Sequence, residues 1–301
     1  MSTGPSPAAP RKTTTLTFRE KHQRHEPITM VTAYDYPTAR IADQAGVDAI
    51  LVGDSLAMVV LGHPDTLAVT MDEMLHHARA VRRGASRALL IGDMPFLSYQ
   101  ADEAEAVRNA GRFLKEAGME AVKLEGGSAV APTVRRIVGA GIPVQGHIGL
   151  TPQSVNALGG WKVQGRTAAA ARALLEDALA LQDAGCFSVV LESVPDRVAA
   201  FITERLEVPT IGIGAGAGTS GQVLVLHDML GLFDRFTPRF VKRYAELGNA
   251  AREAVEAFRA EVESGAFPAA EHSYAMEDEE WRAFLESVGE ELPQTPTVSP
   301  R

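Results

Sequence analysis

Acids, a lysine and a histidine stand where the apolar runs of this sequence stop. One run closes on Gly53-Asp54-Ser55 and another on Gly92-Asp93-Met94-Pro95; a third carries Lys123 and Glu125 before Gly126-Gly127. A fourth holds Gln145 and His147, and a fifth closes on Glu192. A random surface scatters its charges along helix faces, whereas here carboxylates terminate apolar stretches. Successive strand side chains point to opposite faces, so Lys123 and Glu125 share one. If that face is interior, two charges are held out of water, which is costly unless each has a partner. If the strand is an edge, they are ordinary surface charges, and the stretch alone leaves both readings open. Carried on neighbouring strands about 4.8 Å apart, Asp54, Asp93 and Glu125 could converge on one hard cation. An all-oxygen set favours Mg²⁺. The bland alternative for each acid is a loop or helix cap, and three acids on adjacent strands weigh against it. Lys123, one layer deeper on its strand, could pair with an anionic substrate or with the metal-binding carboxylates.

The elements that must position these groups follow from the same runs. Strand-like, nearly continuously hydrophobic stretches span 28–34, 49–55, 89–96, 121–127, 143–150, 188–194, 209–216 and 224–230. Continuous rather than alternating hydrophobicity marks strands covered on both faces. Between them, Ala101 to Ala117 opens with Asp102, Glu103 and Glu105 and ends with Lys115 before Gly118, as helices start and stop. The pair Ala-Gly recurs at 45–46, 117–118, 140–141 and 184–185, each time shortly before a strand-like run. Glycine there suits the left-handed residue that closes a helix. Repeated helix–strand units predict a single-domain α/β fold, a (β/α)₈ TIM barrel, with its chemistry at the C-terminal strand ends. Strand four then sits mid-barrel, and the edge reading of Lys123 and Glu125 lapses. Only 217–223 separates the last two runs, too short for a crossover helix. The helical stretch 239–265 is expected to complete the barrel wall. A charged helical lead-in covers 18–26, and a short helix is expected at 281–288. The expected division is a disordered tail at 1–14, the barrel at 15–274 and an acidic extension at 275–301.

Composition narrows the partners. With 29 basic against 38 acidic residues the net charge is −9, the wrong sign for binding nucleic acid or an anionic membrane surface. No apolar run reaches membrane-spanning length, and the N-terminus carries no signal-peptide segment. The single cysteine, Cys186, fits a reducing compartment, and a cytoplasmic protein is expected. Cys186 precedes strand six, the wrong end for a barrel nucleophile, so a structural role is expected. The stretch Gly216-Ala217-Gly218-Thr219-Ser220-Gly221 matches G-x-G-x-x-G, but no long helix follows it, and a close-packed turn is the better reading than a dinucleotide site. His76-His77 reads as a solvated helix face, Met71 and Met74 as helix core, and His63 is open to either reading. His147 is placed for function, although it could equally orient a loop.

Several long motifs resemble the ketopantoate hydroxymethyltransferase (3-methyl-2-oxobutanoate hydroxymethyltransferase) family. They are Leu51-Val52-Gly53-Asp54-Ser55-Leu56, Gly62-His63, Val81-Arg82-Arg83-Gly84, Val122-Lys123-Leu124-Glu125-Gly126-Gly127 and the stretch from Gly146-His147 to Gln153-Ser154. Lys162-Val163-Gln164-Gly165-Arg166, Ile211-Gly212-Ile213-Gly214-Ala215-Gly216 and Glu271-His272-Ser273 follow in order, so the similarity runs from about Thr15 to Tyr274. The resemblance implies a (β/α)₈ barrel, Mg²⁺ dependence, a homodecamer and a place early in pantothenate synthesis, which feeds coenzyme A. It implies hydroxymethyl transfer from 5,10-methylenetetrahydrofolate to 3-methyl-2-oxobutanoate, giving 2-dehydropantoate through a Mg²⁺-stabilised enolate. By position, Asp54, Asp93 and Glu125 match metal-associated acids. Ser55 and Lys123 match residues that hold the 2-oxo acid, with Asp54 and Asp93 close to it, and Glu192 matches the general base. His147 and the loop 151–166 are expected to support and close the site. Gly92 and Ser193 depart from the family pattern beside an acid without changing it, and some relatives end near His272. The runner-up is a Mg²⁺-dependent 2-oxo-acid lyase of the isocitrate lyase or phosphonomutase kind, and a nucleotide-binding module is the non-catalytic alternative.

Overall fold

Eight parallel strands pair in sequence order and close on themselves in a computed structural model that describes residues 12–290. They are β1 (Ile28–Thr32), β2 (Ala49–Val52), β3 (Leu89–Asp93), β4 (Ala121–Glu125), β5 (Val144–Gly149), β6 (Ser188–Glu192), β7 (Thr210–Ile213) and β8 (Gly221–Leu224), with β8 paired back to β1. A closed sheet has no edge, so Lys123 and Glu125 stand inside the wall. Helix α1 (Thr15–Gln23) leads in. The crossovers are α2 (Tyr36–Ala45), α3 (Leu56–Val59) with α4 (Met71–Gly84), α5 (Glu103–Ala117), α6 (Ala131–Gly139), α7 (Val155–Leu158) with α8 (Ala168–Asp183), and α9 (Asp196–Thr203). No helix joins β7 to β8, and α10 (Leu226–Met229) follows β8. This is the (β/α)₈ barrel expected from the strand–helix alternation.

Local chemistry explains the crossovers. Asp102 caps α5 by accepting the Glu105 N–H at 2.8 Å, and Gly118 ends it at φ 68°. The glycines of the other Ala-Gly pairs are left-handed too: Gly46, Gly141 and Gly185. Two apolar layers result. Ile50, Val52, Leu90, Val122, Leu124, Val144, Val189 and Leu191 pack outward against the helices. Ile28, Met30, Leu51, Ile91, Ala121, Val190, Ile211 and Val223 fill the barrel interior, which Phe18 of α1 also enters. Burying such residues is the main favourable term in folding, at about 25 cal/mol per Å² of apolar surface.

Three expectations need correction. The eighth strand is Gly221–Leu224 rather than 224–230, and 226–229 is helical. The reason is spatial: a Cβ on Gly221 would stand 2.4 Å from the Ile28 carbonyl oxygen, so glycine lets β8 close on β1. His77 is not simply solvated, because its Nδ1 lies 2.6 Å from the Tyr34 carbonyl oxygen while His76 is exposed. Lys12 and Thr13, read as tail, are anchored: Lys12 pairs with Glu120 at 2.7 Å and the Thr13 N–H donates to the Arg87 carbonyl at 2.8 Å. The remaining tail, 1–11, and 291–301 lie outside the described residues.

Contacts divide the chain after Glu246. The stretch 239–265, expected as a helix of the barrel wall, is helical only as α11 (Leu247–Ser264) of the second unit, none of whose residues is buried, and the same unit holds α12 (Asp278–Val288), which buries Leu285. The helix expected at 281–288 is therefore present and longer. Among the described residues no helix is long and apolar enough to cross a membrane.

Candidate active site

Strand register brings the polar residues together above the apolar floor. Asp93 is the Cα partner of Lys123, Lys123 of Gln145, and Glu125 of His147, so one polar patch spans β3, β4 and β5. Asp54 and Ser55 follow β2, and Glu192 ends β6. Gly92 sets the height of Asp93: a Cβ there would stand 2.4 Å from the Phe113 ring, so α5 packs directly on this strand. Asp54, Asp93, Lys123, Glu125 and His147 are all at most 4 % exposed.

Lys123 Nζ lies 2.8 Å from Asp93 Oδ1 and 3.7 Å from Glu125 Oε1, so its closer partner is Asp93. The Asp54 N–H donates to Asp93 Oδ2 at 3.0 Å. His147 stands between two carboxylates, with Nδ1 3.4 Å from Glu125 Oε1 and Nε2 3.3 Å from Glu192 Oε2. Asp93 Oδ1, Glu125 Oε1 and His147 Nε2 are buried and meet charged neighbours without a well-aligned hydrogen bond. Among the described residues no three His, Cys, Asp or Glu side chains close into a metal cage. The three acids line one cavity, but Lys123 and Gln153 stand among them.

The charge balance is uneven. Burial first, then the Asp93 and Glu125 charges, push the Asp54 carboxyl well above the usual carboxylate range. Burial also raises Asp93, although Lys123 opposes it. Glu125 goes the other way: burial opposes its charge, but His147 and Lys123 outweigh that and lower its pKa. For His147, burial and the Lys123 charge oppose protonation, yet Glu125 and Glu192 prevail and raise it to about 9. Lys123, flanked by Asp93, Glu125 and Asp54, is raised in spite of its burial. The cluster favours its cations and holds an excess of acid.

Residues to which sequence reasoning gave no role hold the cluster in place. Gln153, from the turn after β5, donates through Nε2 to Asp54 Oδ2 and to the Met94 carbonyl, both at 2.9 Å. Its backbone N–H donates to Glu125 Oε2 at 3.0 Å, tying three strand ends together. The Tyr99 hydroxyl accepts the Glu125 N–H at 3.0 Å and lies 2.8 Å from Gln153 Oε1. The Tyr34 hydroxyl is 2.8 Å from Ser55 Oγ. Gln153 lies within a quoted motif and Tyr34 ends the first strand-like run, but nothing in the sequence pattern marks Tyr99. Ser193, directly after Glu192, takes φ 49°, a left-handed conformation that costs a non-glycine residue about 1 kcal/mol or more. The Gln164 N–H donates to the Ser193 carbonyl at 2.9 Å, fastening the 151–166 loop beside Glu192.

Asp54, Ser55, Asp93, Lys123, Glu125, His147 and Glu192 line a cavity of about 440 Å³, with Trp161, Lys162 and Val163 of that loop on its wall. Cys186 is buried just before β6, and burial pushes its thiol up to about 12. An inert structural thiol results. The turn 216–221 packs closely as well, since a Cβ on Gly218 would stand 2.6 Å from Ala200.

A closed parallel barrel with acids, a lysine and a histidine gathered at its C-terminal strand ends defines a (β/α)₈-barrel enzyme. The sequence profile described as ketopantoate hydroxymethyltransferase matches residues 12–270, and the chain belongs to that family. It is 64 % identical over 261 residues to the 3-methyl-2-oxobutanoate hydroxymethyltransferase of Oleidesulfovibrio alaskensis, covering 87 % of this chain and 90 % of that one. The protein of the same name from Nitratidesulfovibrio vulgaris is 56 % identical, with 98 % of both chains covered. Among solved structures, a phosphonopyruvate hydrolase complex with oxalate and Mg²⁺ aligns at a TM-score of 0.57 and 15 % identity, covering 91 % of this chain and 98 % of that one. A 2,3-dimethylmalate lyase aligns at 0.57 and 18 %, covering 93 % and 98 %. At such identities the likeness is one of fold.

Proposed function

We propose that this chain transfers a hydroxymethyl group from 5,10-methylenetetrahydrofolate to 3-methyl-2-oxobutanoate, giving 2-dehydropantoate for pantothenate synthesis. The observation that carries this reading is the buried cluster of Asp54, Asp93 and Glu125 around Lys123, in a family whose relatives are named for that activity. Mg²⁺ suits the site. The donors are hard oxygens, Asp93 Oδ1 and Glu125 Oε1 are buried beside Lys123 and His147 without a well-aligned hydrogen bond, and Asp54 stands close to the charges of Asp93 and Glu125. Mg²⁺ is usually held by one or two carboxylates and completes its shell with water and substrate oxygens, so a closed cage is not required. Asp54, Asp93 and Glu125 would hold the ion, which when bound supplies positive charge to the oxygens of the 2-oxo acid as C3 loses its proton.

The chain's own residues supply the rest. Lys123, fixed by Asp93, and Ser55, fixed by Tyr34, orient the substrate carboxylate. Glu192 faces the acids of β2 and β3 across the barrel and takes the proton from C3. His147 Nε2, 3.3 Å from Glu192 Oε2, steadies that carboxylate. The loop bearing Trp161 and Val163 limits water over the reacting carbon. Family resemblance adds a homodecamer in the cytoplasm, which sedimentation of the purified chain tests for assembly. The decisive assay is formation of 2-dehydropantoate from both substrates. We expect a chelator to abolish it and Mg²⁺ to restore it; no product with metal present refutes the reading.

A further inference from the structure

The cavity extends well beyond the acid cluster. Its volume of about 440 Å³ exceeds what a small branched 2-oxo acid fills and lies in the range that holds drug-sized ligands. The outer part is lined by Trp161 and, from the segment after α10, by Phe233, Phe236 and Phe240. The Phe233 and Phe236 rings stand 5.3 Å apart, edge to face. Besides Asp54, Asp93, Glu125 and Glu192, one further acid lines the same cavity, Asp228 of α10. Burial pushes its carboxyl up to about 6 against the charge of Arg243, and no described residue hydrogen-bonds to it. Arg243 instead donates to Glu246 and Thr237. Asp228 is half-buried, and a carboxylate withdrawn from water without a donor is costly unless a ligand brings one.

Resting on the function proposed above, we infer that this outer cavity is the pterin subsite and that Asp228 accepts the hydrogen-bond-donating edge of the tetrahydrofolate ring. The 2-amino-4-oxopyrimidine edge offers a ring N–H and an amino N–H side by side, which match the two oxygens of one carboxylate. The flat faces of the ring meet apolar and aromatic side chains, as pockets for such ligands provide. The two subsites share a wall. Tyr34 holds Ser55 at 2.8 Å on the oxo-acid side, and its ring lies 5.3 Å from the ring of His227, the neighbour of Asp228.

The test uses the full-length protein and its Asp228→Asn variant. The variant should raise the KM for methylenetetrahydrofolate about tenfold to a hundredfold, as loss of a charged hydrogen-bond pair does. That loss should exceed, at least severalfold, any change in folate-independent exchange of the C3 proton of 3-methyl-2-oxobutanoate with deuterated water. In direct binding, wild type should prefer tetrahydrofolate about tenfold or more over its 2-desamino-2-methyl counterpart, and Asp228→Asn should bind both alike. A variant KM within twofold of wild type overturns the assignment. So does a wild type that binds both folates equally, a result that stands even if the variant does not fold. Wild type that turns over normally while Asp228→Asn is indifferent sinks this inference alone; wild type that neither exchanges nor turns over sinks the proposed function with it.

Discussion

Replacing Lys123 by Met removes the ammonium at the centre of the acid cluster and keeps most of the side chain's volume. Lys123 is 4 % exposed and lies 2.8 Å from Asp93 Oδ1. Breaking a buried ion pair from one side costs about 3–5 kcal/mol, because the remaining charge is left uncompensated. Asp54 and Glu125 also draw on the same ammonium, which favours the upper part of that range, whereas His147 remains beside Glu125 and moderates it. For a barrel of this size the cost corresponds to a fall in Tm of about 6–20 °C. The pH dependence has a definite sign. Asp54 and Asp93 already have raised carboxyl pKa values and rise further in the variant. A carboxyl raised on folding costs stability above its folded pKa, and the cost vanishes below its unfolded value. The variant's deficit is therefore largest near neutrality and shrinks on acidification. Mg²⁺ should restore part of it by binding the uncompensated acids. Thermal unfolding across the acid-to-neutral range, with and without Mg²⁺, reads all three effects. A variant as stable as wild type at neutral pH, or one whose deficit grows on acidification, refutes the picture of Lys123 as the counter-charge.

Two further outcomes follow from the same geometry. Gln153→Ala leaves Asp54 Oδ2 without its Nε2 donor and removes the Tyr99 partner, costing about 1–3 kcal/mol in Tm-derived stability and weakening Mg²⁺ binding measured by titration calorimetry. The pKa of His147 is raised to about 9, so its contribution to stability is complete below its ordinary value of 6.5 and is lost as pH rises through about 9. His147→Gln should remove that loss, at most about 3 kcal/mol, so that the fall in Tm over this interval becomes shallower than in wild type.

What could be read from the sequence was what local pattern encodes. Buried parallel strands are continuously apolar, and left-handed glycines close the helices before them, so the first seven strands start within a residue of their expected positions. The eighth did not show itself, because Gly221 and the exposed Gln222 lack the strand pattern while the more apolar stretch beyond them is partly helix. The strand-end acids announced themselves by interrupting apolar runs. Gln153 did not: its contact with Asp54 spans 99 residues of chain and depends on how the β5 turn folds back over the barrel mouth. Asp228 was hidden for a related reason, since a misplaced strand gave its carboxylate no reason to face a cavity. The choice of Asp93 over Glu125 as the closer partner of Lys123 needed coordinates, because both acids lie within reach of one flexible side chain.

The measurement that tests the account most directly is exchange of the C3 proton of 3-methyl-2-oxobutanoate with deuterated water, in the presence of Mg²⁺ and without folate, by wild type and Glu192→Gln. Wild type should exchange, and the variant should bind the oxo acid yet exchange about 10²–10⁴-fold more slowly, as loss of a positioned base predicts. Exchange by Glu192→Gln at the wild-type rate would contradict the assignment of Glu192 as the base.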